Sequence, residues 1–263
     1  MRIFVCVKQV PDTSGVVAVN PDGTLNRASM QTIINPDDLI AMEQALVLKD
    51  NTGCQVTAVT MGPPPAEGML RELLAMGADD AILISAREFG GSDTFATSQI
   101  ISAAINHVGY SDEDMIFCGR QAIDGDTAQV GPQIAEKLDL PQVTYVEEFH
   151  IDDNLKDITV KRQLEDGYEL IGIKTPCMLT AIKELNEPRY MNMKGIFGEK
   201  NIKIWNAKDI EVDLNKVGLE ASPTNVFRSF TPAPKAPGQV VAGDTENEQA
   251  KNLLVQLKGK HII

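Results

Sequence analysis

Histidine is scarce in this 263-residue chain: there are three, His107, His150 and His261, and none stands at metal-ligand spacing. The four cysteines, Cys6, Cys54, Cys118 and Cys177, form no C-x-x-C pair. A metal site and a redox dithiol are therefore not expected, and the thiols read as buried groups in a reducing compartment. Lysine and arginine number 24 against 37 acidic residues, a net charge of −13. The clustered positive charge that grips nucleic acid or an anionic membrane is missing. No apolar stretch approaches the roughly 20 residues of a spanning helix. The apolar run Ile3–Val7 is cut off by Lys8 and Pro11, too early for a signal-peptide core, so a cytoplasmic protein is expected. Neither G-x-G-x-x-G nor G-x-x-x-x-G-K-[ST] is present. Ser14, Ser92 and Ser98 stand in no nucleophile elbow. With no nucleophile, base and orienting group in one pattern, no catalytic residue is assigned.

What the chain does carry is an alternation of short apolar runs and helical patterns. Ile3–Val7, Gln55–Met61, Ala81–Ile84 and Met115–Cys118 have the length and composition of buried parallel strands. Asn35-Pro36-Asp37-Asp38 starts a helix, with Asn at the cap, Pro in the first turn and two acids against the dipole; Gly53 stops it. Met69, Leu70, Leu73, Leu74 and Met76 form an apolar face ending at Gly77, and Ser92-Asp93 opens a helix carrying Phe95, Ile101, Ile105 and Val108. A turn signal, Asn20-Pro-Asp-Gly23, falls in the long loop after the first strand. Four such alternations predict an α/β fold with a parallel, doubly wound sheet and right-handed crossovers. The loops at the strand carboxyl ends, Val7–Gln9, Thr60–Gly62 and Gly119–Val130, then converge on one crevice.

The last of these loops is the most informative. The strand stops at Gly119, the chain passes Arg120-Gln-Ala-Ile-Asp124-Gly-Asp126, and Val130, Ile134 and Leu138 follow at helical spacing. A strand end facing a helix start is a place where free N–H groups and the positive end of the dipole accept an anion. Pro132 would press on the carbonyl four residues back if the helix began at Asp124, so the first full turn is placed at Thr127 or later. Backbone N–H groups from Gly125 to Gln129 would then hold a phosphate, with Arg120 the nearby full positive charge. An ordinary strand-to-helix turn, in which Asp124 and Asp126 cap the helix, fits the spacing equally.

Beyond Leu140 the period changes to two. Gln142–His150, Ile158–Leu164, Tyr168–Lys174 and Cys177–Ile182 read as strands of an antiparallel addition, with Glu165-Asp-Gly167 as a turn. From Gly218 the core pattern fades. A Pro-rich stretch from Ser222 precedes the capping box Thr245-Glu-Asn-Glu248, and Leu253, Leu254 and Leu257 share one helical face. Two regions are expected: an α/β domain over 1–217 and a C-terminal arm with its helix over 218–263.

The run Val160-Lys-Arg162-Gln-Leu-Glu165-Asp166-Gly167-Tyr-Glu169-Leu-Ile171-Gly-Ile-Lys-Thr-Pro176-Cys-Met178-Leu179-Thr180 resembles the signature of the β subunit of electron transfer flavoproteins. Val5-Cys-Val-Lys8, Asn35-Pro36, Ala75-Met-Gly-Ala-Asp79, Gly119-Arg-Gln-Ala-Ile-Asp124 and Asn186-Glu-Pro-Arg-Tyr190 match the same family, in order. The resemblance implies a fold like the adenine-nucleotide α-hydrolase group. It further implies a heterodimer with an α subunit, whose mobile domain carries one FAD and which residues 218–263 would clasp. It makes the crevice a nucleotide site formed by Cys6 and Lys8, by Asn35, Asp37 and Asp38, and by Met61 and Gly62. Gly119, Arg120, Gln121, Asp124, Gly125, Asp126, Thr127, Ala128, Gln129 and Val130 complete it. Tyr190–Gly198 aligns with the family's partner-recognition loop. There Tyr190, Met191, Met193, Ile196 and Phe197 would offer an adaptable apolar surface to a flavin-dependent dehydrogenase.

In ordinary members of that family the site holds AMP. In bifurcating members it holds a second FAD, which takes hydride from NADH. One electron then goes to a low-potential acceptor such as ferredoxin and the other, through the α-subunit FAD, to the dehydrogenase. Asp124-Gly-Asp-Thr-Ala-Gln-Val130 resembles the bifurcating type, since a small Gly125 and a hydroxyl at Thr127 suit a pyrophosphate passing close to the backbone. A bifurcating β subunit is the expectation. The alternatives are an ordinary carrier subunit with structural AMP and a nucleotide-binding stress or regulatory protein of the same fold.

Overall fold

A computed structural model of the chain describes residues 1–12, 31–199, 201–227 and 235–263. The turn signal at Asn20–Gly23 and Ser14 lie outside the described residues. The chain divides into two compact units, Met1–Arg228 and Ser229–Ile263.

In chain order the first unit contains β1 (Arg2–Cys6), β2 (Gln9–Pro11), β3 (Thr32–Ile34), α1 (Pro36–Thr52), β4 (Gln55–Met61), α2 (Glu67–Met76), β5 (Asp80–Ile84), α3 (Thr94–Val108), β6 (Met115–Gly119) and α4 (Val130–Lys137). There follow β7 (Gln142–Ile151), β8 (Asp157–Leu164), β9 (Gly167–Lys174), β10 (Cys177–Ala181), α5 (Met193–Phe197), β11 (Ile202–Trp205) and α6 (Gly218–Ala221). Nine strands form one sheet in the order β11-β5-β4-β1-β6-β10-β7-β8-β9, and β2 pairs with β3 as a separate antiparallel ribbon.

The four foreseen strand-helix units are present and parallel. Chain order runs from β1 outward to β4 and β5, then returns to the other side of β1 with β6, so the strand order reverses between β1 and β6 while the strands stay parallel. Two apolar layers cover it. Ile3, Val5 and Val7 of the central strand and its end pack in one layer with residues of α1 and α2; Phe4 and Cys6 pack in the other with residues of α3 and α4. The foreseen stops hold as well: Gly53 is left-handed at the end of α1, and Gly77 follows α2 with φ 137°. Asp93 caps α3 by accepting from the Ala96 N–H at 3.0 Å.

Three details depart from the expectation. Within the nine-stranded sheet only β7, β8 and β9 make antiparallel pairs, whereas β10, expected as a fourth antiparallel strand, lies parallel between β6 and β7. Every residue of β10 is buried, which suits a strand flanked on both sides and covered on both faces. Strand β11, which the sequence pattern did not reveal, extends the sheet beyond β5. Phe95, expected on the apolar face of α3, stays exposed, with the Lys137 ammonium 3.9 Å above its ring. Residues 218–224 pack against the turn before α3, within the first unit.

The second unit carries α7 (Glu246–Gly259). Thr245 caps it through the Glu248 N–H at 3.3 Å, while Glu248 returns to the Asp244 N–H at 2.9 Å, one residue earlier than a regular capping box. Leu253 and Leu254 are exposed on this helix.

Arg189 fastens the segment after β10 to α1. Its Nε and Nη2 donate to the buried Glu43 carboxylate at 2.9–3.0 Å, its own N–H adds a further bond at 2.9 Å, and Nη1 lies 2.9 Å from Asp50. Removing the guanidinium strands a buried carboxylate. Arg189→Ala is expected to lower unfolding free energy in urea by about 2 kcal/mol. The same change should speed amide exchange at Asn192, whose N–H is held by the Ala75 carbonyl. Unchanged stability and exchange would show that the clamp is ornamental.

Candidate functional site

The first turn of α1 lies across the carboxyl ends of β1 and β6. Asp38, 6% exposed, accepts from the Lys8 N–H at 2.8 Å and from the Gly119 N–H at 2.9 Å. Burial pushes its carboxyl up to about 7, against the opposing pull of these hydrogen bonds. The approach is close enough to require glycine: a Cβ on Gly119 would stand 2.5 Å from the Asp37 carbonyl carbon. Asn35 occupies the cap position of α1, but its side chain makes no cap bond. It is fully buried and reaches the neighbouring loop instead, donating to the Gln121 carbonyl at 2.8 Å and accepting from the Ile123 N–H at 3.1 Å.

Outside this buried joint two cations stand against carboxylates, while Asp126 meets only a neutral amide. Lys8 Nζ lies 2.6 and 2.8 Å from the two Asp124 oxygens. Arg120 Nε lies 3.4 Å from Asp37 without a well-directed hydrogen bond, and the guanidinium sits over the Tyr145 ring at 5.8 Å. Burial raises the Asp37 carboxyl and Arg120 lowers it. Gln121 donates to Asp126 at 2.9 Å. Lys8 is engaged by Asp124 and Arg120 stands beside Asp37, which leaves the backbone of the loop as the candidate for holding an anion.

The backbone is shaped for it. The N–H groups of Gly125 and Asp126 both close onto the Ala122 carbonyl, at 3.2 and 2.9 Å. Asp126 and Ala128 then take left-handed conformations, φ 49° and 52°, and Gln129 is right-handed immediately before α4. Left-handed and right-handed residues in succession turn neighbouring N–H groups to one side, as in anion-binding nests. Among the described residues nothing accepts from the N–H groups of Thr127, Ala128 or Gln129. An alanine in this region costs about 1 kcal/mol, strain of the kind that collects at ligand sites. The helix begins at Val130, where the position of Pro132 allows it. A Cβ on Gly131 would come within 2.7 Å of Cys118 Sγ, so α4 presses directly on β6. Gly125 is different: a Cβ there would meet nothing within 4 Å. The fold itself makes no demand for glycine at that position.

The remaining expected residues lie in different settings. Cys6 and Cys118 face each other across β1 and β6, buried, with the Cys6 thiol pushed by burial up to about 12 and Cys118 also raised. Neither is a thiolate nucleophile at neutral pH. Met61 ends β4, one strand across from β1, and the Gly62 N–H is taken by the Ile84 carbonyl at 3.1 Å. Tyr190, Met191, Met193, Ile196 and Phe197 do not join the crevice. They stand exposed on and before α5, which Asn192 anchors to the Ala75 carbonyl at the end of α2. Sequence reasoning missed Thr94, whose hydroxyl donates to Gln129 Oε1 at 2.9 Å. The cap signal at Ser92-Asp93 located the start of α3 but not its pairing with the start of α4.

Residues 22–210 match the family model described as electron transfer flavoprotein domain. The chain is 62% identical to the acryloyl-CoA reductase electron transfer subunit gamma of Anaerotignum propionicum, aligned over 100% of both chains. It is 54% identical to the caffeyl-CoA reductase-Etf complex subunit CarD of Acetobacterium woodii, again over 100% of both. Identity to an electron transfer flavoprotein subunit beta of Clostridium acetobutylicum is 53%, with the same full coverage.

The two loop glycines should behave oppositely. Gly119→Ala forces α1 off the sheet and is expected to cost about 3 kcal/mol or more, whereas Gly125→Ala should leave urea unfolding within about 0.5 kcal/mol of the parent. Equal losses would refute the assignment of the close approach to Gly119.

Asp38 makes stability depend on pH. An acid whose pKa rises on folding, here from 3.8 to about 7, binds its proton more tightly in the folded state. Its contribution to stability is therefore greatest below 3.8 and is lost as pH rises toward about 7. Between pH 5 and 7.5, Asp38→Asn should show a smaller fall in unfolding free energy than the parent; identical slopes would remove Asp38 as the linked group.

Proposed function

The chain belongs to the electron transfer flavoprotein family, as a β-subunit member, and from that premise we propose that its crevice holds the phosphates of an FAD and that it serves electron bifurcation. The observation that carries this reading is the row of unclaimed N–H groups at Thr127, Ala128 and Gln129, set in alternating backbone conformations at the start of α4. When bound, an FAD supplies the ability to accept an electron pair from NADH and release the electrons one at a time.

The chain's own residues do the holding. Asp38 and Asn35 fix the strand ends and the 121–123 loop; the N–H groups after Asp126 take the phosphates. The Lys8–Asp124 and Arg120–Asp37 pairs set each of the two cations against a carboxylate, so that phosphate charge would meet chiefly dipoles. Open space at Gly125 supports a pyrophosphate running past the loop rather than a single phosphate ending there.

The wider assembly follows the same reading. The partner subunit is an electron transfer flavoprotein α subunit carrying its own FAD, engaged by the arm and α7. Relatives are named for acryloyl-CoA reductase and a caffeyl-CoA reductase complex, which supports a flavin-dependent acyl-CoA dehydrogenase or reductase as electron partner. Tyr190, Met191, Met193, Ile196 and Phe197 would receive it. Ferredoxin is the proposed low-potential acceptor, and the cytoplasm the proposed location.

The deciding experiment counts nucleotides in the purified heterodimer. Two FAD and no AMP are expected, and Gly125→Asp, which adds bulk and negative charge beside the phosphates, should leave one FAD and abolish NADH-dependent reduction of a low-potential acceptor. One FAD with one AMP in the parent protein would establish an ordinary carrier instead.

A further inference from the structure

The stretch from Val217 to Thr224 is bound to the start of α3 more tightly than a connecting segment requires. Val217 is buried in the layer beneath α3 and α4. The Gly218 N–H donates to Ser92 Oγ at 3.1 Å, and a Cβ at Gly218, which has φ 78°, would collide with the Glu88 carbonyl oxygen. Ser222 is 6% exposed; its hydroxyl accepts from the Asp93 N–H at 2.9 Å and donates to the Gly218 carbonyl at 2.7 Å. Asp93 in turn accepts from the Thr224 N–H at 3.0 Å and the Thr224 hydroxyl at 2.8 Å while capping α3. These bonds hold the Asp93 carboxyl below the ordinary carboxylate range, although its partial burial acts the other way.

The next residue after that cap is Thr94, whose hydroxyl holds Gln129. Gln129 is the residue immediately before α4 and carries one of the unclaimed N–H groups. Ser98, one turn into α3, holds Gln133 on α4 at 3.2 Å. Two sets of hydrogen bonds, joined by the peptide link from Asp93 to Thr94, thus connect Ser222 and Thr224 to Gln129 in the loop assigned to the phosphates.

We propose that residues 217–224 form a strap that sets nucleotide affinity, with Ser222, Thr224 and Thr94 acting as positioning residues for the Gln129 end of the cradle. The proposal rests on the phosphate site assigned above.

The test uses the full chain produced with its α subunit, freed of nucleotide and titrated with AMP, the adenosine phosphate common to both candidate ligands. Thr94→Val and Ser222→Ala should each weaken AMP about five-fold, the effect of one lost hydrogen bond. Thr94→Ser, which keeps the hydroxyl, should restore affinity. In the double variant the losses in affinity should be less than additive, because both act on the Gln129 end of the cradle, while losses in thermal stability add. Fully additive affinity losses, or unchanged AMP binding in both single variants, would overturn the strap. Gly125→Asp separates the two readings. If it too leaves AMP binding unchanged, the phosphate site is elsewhere and the functional reading fails; if it alone abolishes binding, the site stands and only the strap falls.

Discussion

The buried carboxylate of Asp38 joins the two strands between which the strand order reverses. By accepting from Lys8 and Gly119 it draws the first turn of α1 down onto β6, so tightly that only glycine fits at the contact. That placement leaves Asn35 facing the adjacent loop rather than its own helix, and Asn35 fixes residues 121–123. With that part of the loop held, the chain must turn through Asp126 and Ala128 to enter α4, and the N–H groups of the cradle are left unclaimed. The arrangement costs the desolvation of a carboxylate, visible in its raised proton affinity.

An anion at this loop, as proposed, would not conflict with the acidity of the chain. Lys8 and Arg120 each stand against a carboxylate, and the attraction would come from peptide dipoles at a helix start, which contribute nothing to a net charge of −13. Recognition of this kind is short-ranged, falling off within the first turn.

Much of the first half of the fold was legible, because parallel strands and amphipathic helices write their periods locally. The late start of α4 followed from Pro132 alone. The loop between β6 and α4 was legible for the same reason: Gly119–Val130 is one continuous segment. What failed was non-local. The apolar run of β10 announces burial but not which strands flank it, and β11 is too short and too exposed to stand out. Asn35 followed the cap rule in position but not in bonding, since a buried loop offered its side chain better partners. Thr94 and Gln129 are 35 residues apart, and nothing in their spacing marks a pair.

The insertion of β10 also orders the assembly of the molecule in time. Strands β6 and β7 are separated by 22 residues in the chain, yet they are not neighbours in the sheet; β10 lies between them. Until Ala181 has left the ribosome, the centre of the sheet is an open slot with two unsatisfied edges, one on β6 and one on β7. If the β7, β8 and β9 meander forms first, a wholly buried strand must then enter between β6 and β7. Such late, long-range closure is slow compared with hairpin formation and exposes sticky edges meanwhile.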